Sequence, residues 1–444
     1  MMGLMAGEES PTTTPVPTPT APTTSAAPMA RPTAPDRSPA RSTRAWTTRL
    51  FVAGILLAAV NLRPAITSLG ALLAEVRDGL GMSGSVAGLL TSVPPLCFAV
   101  FGVMAPRLAR RFGPPAVVCA GMVAITAGLL IRPYAGGTAG FLAGSALALM
   151  GIAVSNVLMP VIVKRWFPDR VGSMTGLYSM ALAAGTAIAA AVTVPMTDAL
   201  GGSWQTGLAV WAALAAAAVL PWVPLVRDRG PAVPAERARG RAEQERPALR
   251  ITRSRTAWAL AVFFGLQATA AYITMGWMAQ IFRDAGVPAG TAGLLLAVTM
   301  VMGVPLAFVI PRVATRLPHQ GPIVIALGAC GLAGYAGLYL APAAGAWAWA
   351  VLLGVSNCAF PLALTMVGMR SRTGAGVAQL SAFAQSTGYL ISIPGPLLVG
   401  VLYQSSGGWG VPILLMVVLM IPQMAVGWLA GRNRTVEDEV TPAA

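Results

Sequence analysis

The sequence predicts an all-α membrane protein whose transmembrane helices form two related bundles of six. Three observations lead to this prediction. Of the 444 residues, 56% are hydrophobic and only 10% are charged, whereas soluble globular chains carry about 25% charged residues. Long apolar runs recur along the chain, and about 20 apolar residues are enough to cross a bilayer as a helix. Short motifs of the first half also return, in the same order, in the second half.

Residues 1–47 precede the first apolar run and are rich in Pro, Thr, Ala and Ser. A segment without hydrophobic periodicity cannot bury a core, so we expect a disordered cytoplasmic N-terminal tail. We do not expect a cleaved signal peptide, because the first apolar run begins only near Leu50 and is too long for one.

Twelve apolar runs follow, one for each predicted transmembrane helix. They lie at 50–74, 83–105, 114–133, 138–163, 173–197, 204–226, 256–281, 290–310, 322–341, 345–368, 375–402 and 410–430. The polar stretch 227–255 separates the sixth run from the seventh and predicts a cytoplasmic central loop. It divides an N-terminal six-helix bundle (48–226) from a C-terminal one (256–431), and residues 432–444 are expected to form a cytoplasmic C-terminal tail.

The basic residues indicate the side of the membrane that each loop occupies. The formal net charge is +15, and all but four of the 30 Lys and Arg residues lie on one side of the twelve runs. The exceptions are Arg63, Arg77, Arg132 and Arg283. Loops rich in Lys and Arg stay in the cytoplasm, so we expect both termini there, in a multi-pass protein of the plasma (inner) membrane. Because this bias accounts for the charge, we expect no nucleic-acid partner.

Two motifs recur between the halves at almost the same spacing. Val86-Ala-Gly-Leu-Leu90 returns as Thr291-Ala-Gly-Leu-Leu295, and Val154-Ser-Asn156 followed by Pro160 returns as Val355-Ser-Asn357 followed by Pro361. This recurrence indicates a duplication. Since each copy contains six runs, both copies enter the membrane in the same direction. In transporters with parallel repeats of this kind, the substrate site lies at the repeat interface near the midplane of the bilayer.

One charge lies deep inside the first apolar run. Arg63 follows Leu50 by about 13 residues, which is roughly 20 Å along a helix, and a charge at mid-membrane costs roughly 2.5 to 3.5 kcal/mol. None of the 15 acidic residues lies mid-run to neutralise it. One interpretation is structural: Arg63 bonds backbone carbonyls freed by Pro64. The other is that Arg63 binds an anionic substrate, for which a planar guanidinium is well suited.

Four stretches resemble a known family. They are Asn61-Leu-Arg-Pro-Ala-Ile-Thr-Ser68, Ala87-Gly-Leu-Leu-Thr-Ser-Val-Pro94, Ala105-Pro-Arg-Leu-Ala-Arg-Arg-Phe-Gly113 and Arg165-Trp-Phe-Pro168. Together with the twelve runs, they make residues 48–431 resemble the major facilitator superfamily, and more narrowly its cyanate and nitroimidazole transporter branch. The resemblance implies the major facilitator fold, with two pseudo-symmetric six-helix bundles around a central cavity. The second–third loop departs from the family pattern, because Pro106 and Ala109 replace its acidic residue and second glycine.

The resemblance also implies that the first, fourth, seventh and tenth helices line the cavity, with the eleventh close by. The candidate substrate-binding residues at mid-depth are Arg63, Asn61, Thr67, Asn156, Gln267, Tyr272, Asn357 and Gln385. For the repeat-related Asn156 and Asn357, hydrogen bonding between helices is an equal alternative. Arg107 and Arg111 in the second–third loop are candidates for the cytoplasmic gate or are simple topology anchors. Glu75 is the candidate for energy coupling, because proton relays in membranes use Asp, Glu or His and no acid lies nearer to the site in sequence.

The sequence therefore predicts a secondary active or facilitative transporter that moves a small anionic or polar solute, cyanate-like or carboxylate-like, by alternating access. Arg63 would be the anion ligand in the central cavity. The alternative is an efflux transporter for nitroaromatic or other hydrophobic compounds, in which Arg63 is structural. Neither an enzyme nor a cofactor is expected, since no cluster of His, Asp, Glu or Cys suggests a catalytic or metal site. We expect a monomer whose partners are the lipid bilayer and the small-molecule substrate.

Overall fold

The helices that the sequence predicts are present in the structure. The computed structural model describes residues 39–226 and 251–440, and within those ranges every regular element is an α-helix or a short 3-10 helix. Most of the predicted tail 1–47 and of the predicted central loop 227–255 lies outside the described residues. The unit that begins at Trp46 contains the candidate membrane-spanning helices.

Eleven helices of the described chain are long and apolar enough to cross a membrane, and the sixth span is a shorter apolar helix over Trp204–Val219. The α-helices of the first half are α1 (Pro39–Asn61), α2 (Pro64–Ala71), α3 (Leu73–Leu80), α4 (Gly84–Phe112), α5 (Pro114–Ile131), α6 (Thr138–Trp166), α7 (Val171–Ala199), α8 (Trp204–Ala209) and α9 (Trp211–Val219). Those of the second half are α10 (Arg255–Asp284), α11 (Ala289–Val301), α12 (Gly303–Arg316), α13 (Gly321–Leu340), α14 (Ala346–Asn357), α15 (Ala359–Met369), α16 (Gly374–Ser392), α17 (Pro394–Ser406), α18 (Gly410–Ala430) and α19 (Val436–Val440). The predicted all-α membrane fold is confirmed, and the predicted twelve spans fit these helices.

The first span is interrupted at Arg63. Because α1 ends at Asn61 and Pro64 begins α2, Arg63 lies between two helices, with φ −125°. Proline lacks the N–H that a helix interior needs, but it is tolerated in the first turn of a new helix. The repeat counterpart of this span, α10, has no proline and runs unbroken over 30 residues. The first half therefore has a break in its first span that the second half lacks.

The helical bundle has two ends, the terminal face and the opposite face. Because successive spans alternate in direction, Phe51, Ser254 and Glu439 lie at one end, the terminal face, near the described ends of both halves. Glu75 and Arg283 lie at the other end, the opposite face. There they form an ion pair between the two halves, with 2.8 Å between Oε2 of Glu75 and Nη1 of Arg283.

Further contacts join the halves between the midplane and the opposite face. Gln404 Oε1 accepts hydrogen bonds from N and Oγ of Ser85, both at 2.9 Å, and Trp277 Nε1 donates to Thr91 Oγ1 at 3.2 Å. Helices also approach closely there, because a Cβ built on Gly88 would lie 2.8 Å from a carbonyl oxygen of α17. Together with the ion pair, these contacts close the interface on the side of the opposite face.

Candidate functional site

A cavity of about 430 Å³ lies between the two halves. Arg63 and residues of α7 line it from the first half, and residues of α10, α11, α12, α14, α15 and α16 line it from the second. It extends towards the terminal face, since Pro311 of α12 and Thr365 of α15 belong to its lining. The fifth and eighth spans contribute walls because α7 and α11 pack together across the interface: a Cβ built on Gly293 would lie 2.7 Å from the carbonyl oxygen of Ala190. The fourth span, which the sequence suggested, contributes none of the lining residues.

Arg63 is the charged residue of the cavity lining. Its side chain is half-buried, and no carboxylate pairs with it in the part of the chain that the structure describes, where the ion pairs are Glu75–Arg283 and Asp438–Arg372. Arg63 lies at the helix break and belongs to the lining of the cavity. The site thus presents a positive charge to whatever the cavity holds.

Three tyrosines lie near Arg63. Tyr178 of α7, Tyr272 of α10 and Tyr389 of α16 are close enough to interact electrostatically with its guanidinium, and Tyr272 lies within reach of a hydrogen bond. All three rings are buried. The Tyr178 hydroxyl donates to Oδ1 of Asn156 at 2.6 Å, so Asn156 acts on the site through Tyr178. The proton of Tyr178 is thereby taken, whereas the hydroxyls of Tyr272 and Tyr389 can still donate to an anion bound in the cavity.

Gln267 and Asn357 also line the cavity. Nε2 of Gln267 donates to the backbone carbonyl of Asn357 at 2.7 Å. That carbonyl lies where the tenth span is interrupted, since α14 ends at Asn357 and α15 begins at Ala359. Oε1 of Gln267 is buried and has no partner among the described residues. Gln267 therefore supports a helix break and keeps one acceptor free beside the cavity.

Four predicted site residues do not belong to the cavity lining: Asn156, which bonds Tyr178, and Asn61, Thr67 and Gln385. Nδ2 of Asn61 donates to carbonyl oxygens of α1 and α9 at 2.7 and 3.2 Å, which joins the first span to the sixth. Oγ1 of Thr67 is buried and donates to the backbone carbonyl of Arg63 at 3.2 Å. Nε2 of Gln385 donates to Oγ of Ser381 at 2.7 Å. In this conformation the polar groups of these residues serve contacts within or between helices.

The predicted gate and coupling residues lie at the two ends of the bundle. Arg107 and Arg111 are exposed near the end of α4 on the terminal face, and neither takes part in the ion pairs of the described chain. Glu75 lies on the opposite face, paired with Arg283. Their roles in gating and coupling remain predictions. The described residues contain no group of three or more His, Cys, Asp or Glu that could hold a metal ion.

Tyr178 is the residue of this site that sequence reasoning does not identify. A tyrosine in an apolar run has no charge to distinguish it, and the fifth span was not expected beside the cavity. The signal that could have identified it is that tyrosine is rare in this chain. There are 7 tyrosines, and three of them lie near Arg63.

Comparisons with known proteins agree with this architecture. A family model described as the Major Facilitator Superfamily matches residues 50–377. An uncharacterized transporter of Bacillus subtilis is 35% identical, over 86% of this chain and 94% of its own length. The 2-nitroimidazole transporter of Escherichia coli is 32% identical, over 87% of this chain and 96% of its own. The cyanate transport protein of Escherichia coli is 30% identical, over 83% of this chain and 94% of its own.

A solved structure shows the same fold at low sequence identity. A bacterial homologue of the human lysosomal transporter Spinster, in an inward-facing and occupied conformation, superposes with a TM-score of 0.72 at 14% identity, covering 89% of this chain and 99% of that one. That likeness concerns the fold alone. The sequence relatives, and the proteins of the family that the model describes, are transporters rather than enzymes. The chain belongs to the major facilitator superfamily and is a multi-pass membrane transporter.

Proposed function

We propose that this chain transports a small anionic solute by alternating access and that Arg63 binds the negative group. One observation carries the proposal: Arg63 lines a cavity of about 430 Å³ between the halves, and no carboxylate of the described chain pairs with it. A guanidinium inside a membrane protein is costly unless something negative completes it. The substrate is the simplest partner for that charge.

The neighbours of Arg63 support an anionic group rather than a neutral one. Tyr272 and Tyr389 line the cavity with Arg63, and their hydroxyls can donate hydrogen bonds to a carboxylate-like oxygen, whereas the Tyr178 hydroxyl donates to Asn156. Hydrogen bonds between a charged donor and a charged acceptor are about twice as strong as neutral ones. An anion placed between the guanidinium and these hydroxyls would therefore gain charge pairing and hydrogen bonds together.

The size of the cavity favours an anion with an apolar body. Pockets of about 300 to 1,000 Å³ bind drug-sized ligands, and this one measures about 430 Å³. Met275, Met300 and Phe360 line it together with Arg63. A planar carboxylate such as benzoate could place its charge on Arg63 and its ring against these side chains. The relatives named for cyanate and 2-nitroimidazole transport support this direction, since both compounds are small and rigid and carry negatively polarised oxygen.

Because the opposite face is closed, this conformation would give access to the cavity from the terminal face only. The bias of basic residues favours the cytoplasm for the terminal face, so the cavity would face the cytoplasm in the plasma membrane. Access from the other side would require the Glu75–Arg283 ion pair and the Ser85–Gln404 hydrogen bonds to break. Among the described residues, no Asp, Glu or His lines the cavity. We therefore propose uniport, exchange or co-transport in which the substrate carries the proton, with Glu75 as the candidate for any further coupling.

A second candidate function is efflux of nitroaromatic or other hydrophobic compounds, with Arg63 in a structural role. The apolar part of the cavity lining and the nitroimidazole relative favour it. Accumulation of 2-nitroimidazole in intact cells separates the two functions. Efflux predicts lower accumulation that survives Arg63→Ala, whereas anion binding by Arg63 predicts that the effect disappears.

A thermal-shift screen of the purified protein tests the proposal. A ligand at free concentration c that binds the folded state stabilises it by RT ln(1 + c/Kd), so the stabilisation rises with the logarithm of the ligand concentration once that exceeds the Kd. We expect benzoate or cyanate to stabilise the wild-type protein and not Arg63→Gln. The matched control is Arg316→Gln, which removes an exposed arginine of the terminal face and should keep the stabilisation. Equal stabilisation of all three proteins would remove Arg63 from the site.

A further inference from the structure

A second buried guanidinium lies outside the central cavity. Arg132 begins the 3-10 helix that follows the third span and is only 2% exposed. Its Nη1 donates to the carbonyl oxygen of Ala65 at 3.0 Å, and its guanidinium carbon lies 5.8 Å from the centre of the Phe141 ring. Nε and Nη2 are also buried and have no acceptor among the described residues. The nearly inaccessible guanidinium of Arg132 thus has one hydrogen bond and one aromatic ring as its polar partners.

This charge also lacks a carboxylate. In the ranges 39–226 and 251–440, the acids that form ion pairs are Glu75 and Asp438, and neither pairs with Arg132. Buried charges in proteins are normally paired, and a charged residue within a membrane-spanning segment is by default a candidate for a functional site. A water molecule could accept hydrogen bonds from Nε and Nη2 but could not neutralise the charge. A small anion could do both.

The structure provides a small cavity beside Arg132. It has a volume of about 20 Å³, and its lining includes Arg132, Ser145 of α6, Thr91 of α4 and Tyr272 of α10. Oγ of Ser145 is buried and also lacks a partner among the described residues. About 10 to 15 Å³ of such space is enough for one water molecule. The cavity therefore fits one small occupant and excludes an organic solute.

We propose that this cavity binds a monovalent anion of halide size, held by Nε and Nη2 of Arg132 and by the hydroxyl of Ser145. The anion would neutralise Arg132 and satisfy three buried donors at once. Tyr272 lines both this cavity and the central one, so the halide would lie behind the Arg63 site, separated from it by the tyrosine. The halide site does not depend on the identity of the transported solute, because Arg63 is not among the residues that form it.

Thermal unfolding of the full-length protein in detergent tests this site. Sodium chloride and sodium bromide are compared with sodium gluconate at equal ionic strength, because gluconate is too large for 20 Å³. We expect both halides to raise the unfolding temperature saturably above its value in gluconate. The same series in Arg63→Gln should keep the halide effect, which separates this site from the proposed substrate site. An unfolding temperature that is equal in halide and gluconate would overturn the proposal.

Two variants assign the halide effect to particular side chains. Arg132→Met removes the charge and its donors, so the halide affinity should fall about tenfold or more. Ser145→Ala keeps Arg132 and should weaken halide binding several-fold; it decides the question if Arg132→Met does not fold. Bromide can also be located directly, since its anomalous scattering in a crystal of the full chain should give a peak beside Arg132. An unchanged halide dependence in both variants, or bromide bound only elsewhere, would contradict the site.

Discussion

Arg63 and Arg370 are both held in the helical bundle, but they are bonded in opposite ways. Arg370, just after α15, is 2% exposed, and its Nε and Nη2 both donate to protein acceptors. Nε donates to the Ala430 carbonyl at 3.0 Å, and Nη2 donates to the Gly431 carbonyl at 2.9 Å and to Oε1 of Gln320. Arg63 is half-buried, lines a cavity and has tyrosine hydroxyls around it. The bonding of a guanidinium, more than its burial, separates an arginine that holds the fold from one that can bind a ligand.

The Arg370 cluster also shows what a completed polar network looks like in this chain. Nε2 of Gln320 donates to the carbonyls of Ala314 and Leu317 at 3.0 and 2.8 Å. The backbone carbonyl of Arg370 accepts from N of Val436 at 2.9 Å. The cluster therefore ties the ends of α12, α15 and α18 to the C-terminal helix.

Arg63→Gln is expected to have the largest effect. Hydrogen bonds to charged groups contribute about 1.5 to 3 kcal/mol each, so losing the charge should weaken solute binding roughly 10- to 150-fold. The solute affinity of Arg63→Lys should lie between those of the wild-type protein and Arg63→Gln, because lysine keeps the charge but loses the planar arrangement of donors. The measurement is uptake of radiolabelled benzoate by proteoliposomes. Wild-type uptake in Arg63→Gln would contradict the role of this side chain.

Arg370→Met should change stability and leave binding intact. Removing the guanidinium leaves the carbonyl of Ala430 and Oε1 of Gln320 without their donor, while the Gly431 carbonyl keeps the bond from N of Gln320. Each unsatisfied buried group costs about 1 to 3 kcal/mol. We expect a clear fall in the unfolding temperature in detergent and a solute affinity close to that of the wild-type protein. A variant that unfolds normally but no longer binds solute would reverse the roles assigned to Arg63 and Arg370.

Glu75→Gln should have a smaller effect, on conformation rather than on affinity. The Glu75 and Arg283 side chains are 32% and 23% exposed, and ion pairs near a surface contribute about 0.2 to 1 kcal/mol. The ratio of the two access states should therefore change at most about fivefold, with a matching change in maximal rate. Asp78→Asn, which removes an exposed acid of the same region, is the control. If Glu75→Gln abolishes uptake driven by a pH gradient but not solute exchange, Glu75 couples protons instead.

The smallest expected effect concerns the C-terminal helix α19 and pH. Burial alone raises the pKa of Glu439, but hydrogen bonds from Ser254 and Thr256 outweigh it and lower the pKa overall. The pKa of Glu437 is lowered in the same way, with a hydrogen bond from Ser371. A lowered pKa in the docked state means that docking is fully stabilised above about pH 4.3, the ordinary value for glutamate, and weakens as the pH falls through the lowered pKa.

Hydrogen exchange of α19 in lipid nanodiscs measures this pH effect. The exchange rates are corrected for the pH dependence of intrinsic exchange. We expect the corrected exchange of α19 to be slow and constant from neutral pH down to about pH 5, and faster below about pH 4.3. Glu439→Gln should show fast exchange at every pH, because the carboxylate that accepts from Ser254 and Thr256 is gone. Docking of α19 that strengthens as the pH falls would contradict the lowered pKa values of Glu437 and Glu439.

Much of the fold could be predicted from the sequence because membrane helices are defined by long apolar runs. The duplication follows from motifs such as Val86–Leu90 and its copy, and the charge bias follows from simple counting. Arg63 could be identified as well, since a charge at mid-membrane is costly wherever its side chain points. These features depend on composition and order along the chain, which the sequence states directly.

The remainder of the site depends on helix rotation and on helix breaks. The sequence suggests that Arg63 and Thr67 share one helix face, four residues apart, but Arg63 lies outside α2 and Thr67 bonds back to its carbonyl. Asn61 belongs to the preceding helix and turns towards α9. Arg132 is the clearest case, because its position at the end of an apolar run indicates a loop charge, and only packing against Phe141 and its neighbours buries it.

The most direct test of Arg63 as the ligand of a negative charge compares two solutes of nearly equal shape. Benzoate and benzamide differ in charge at one group, and titration calorimetry of the purified protein gives the Kd of each. For the wild-type protein we expect benzoate to bind at least about tenfold more tightly than benzamide, since one charged hydrogen bond is worth about that factor. In Arg63→Gln the two Kd values should be nearly equal. A preference for benzoate that persists unchanged in Arg63→Gln would contradict the central claim.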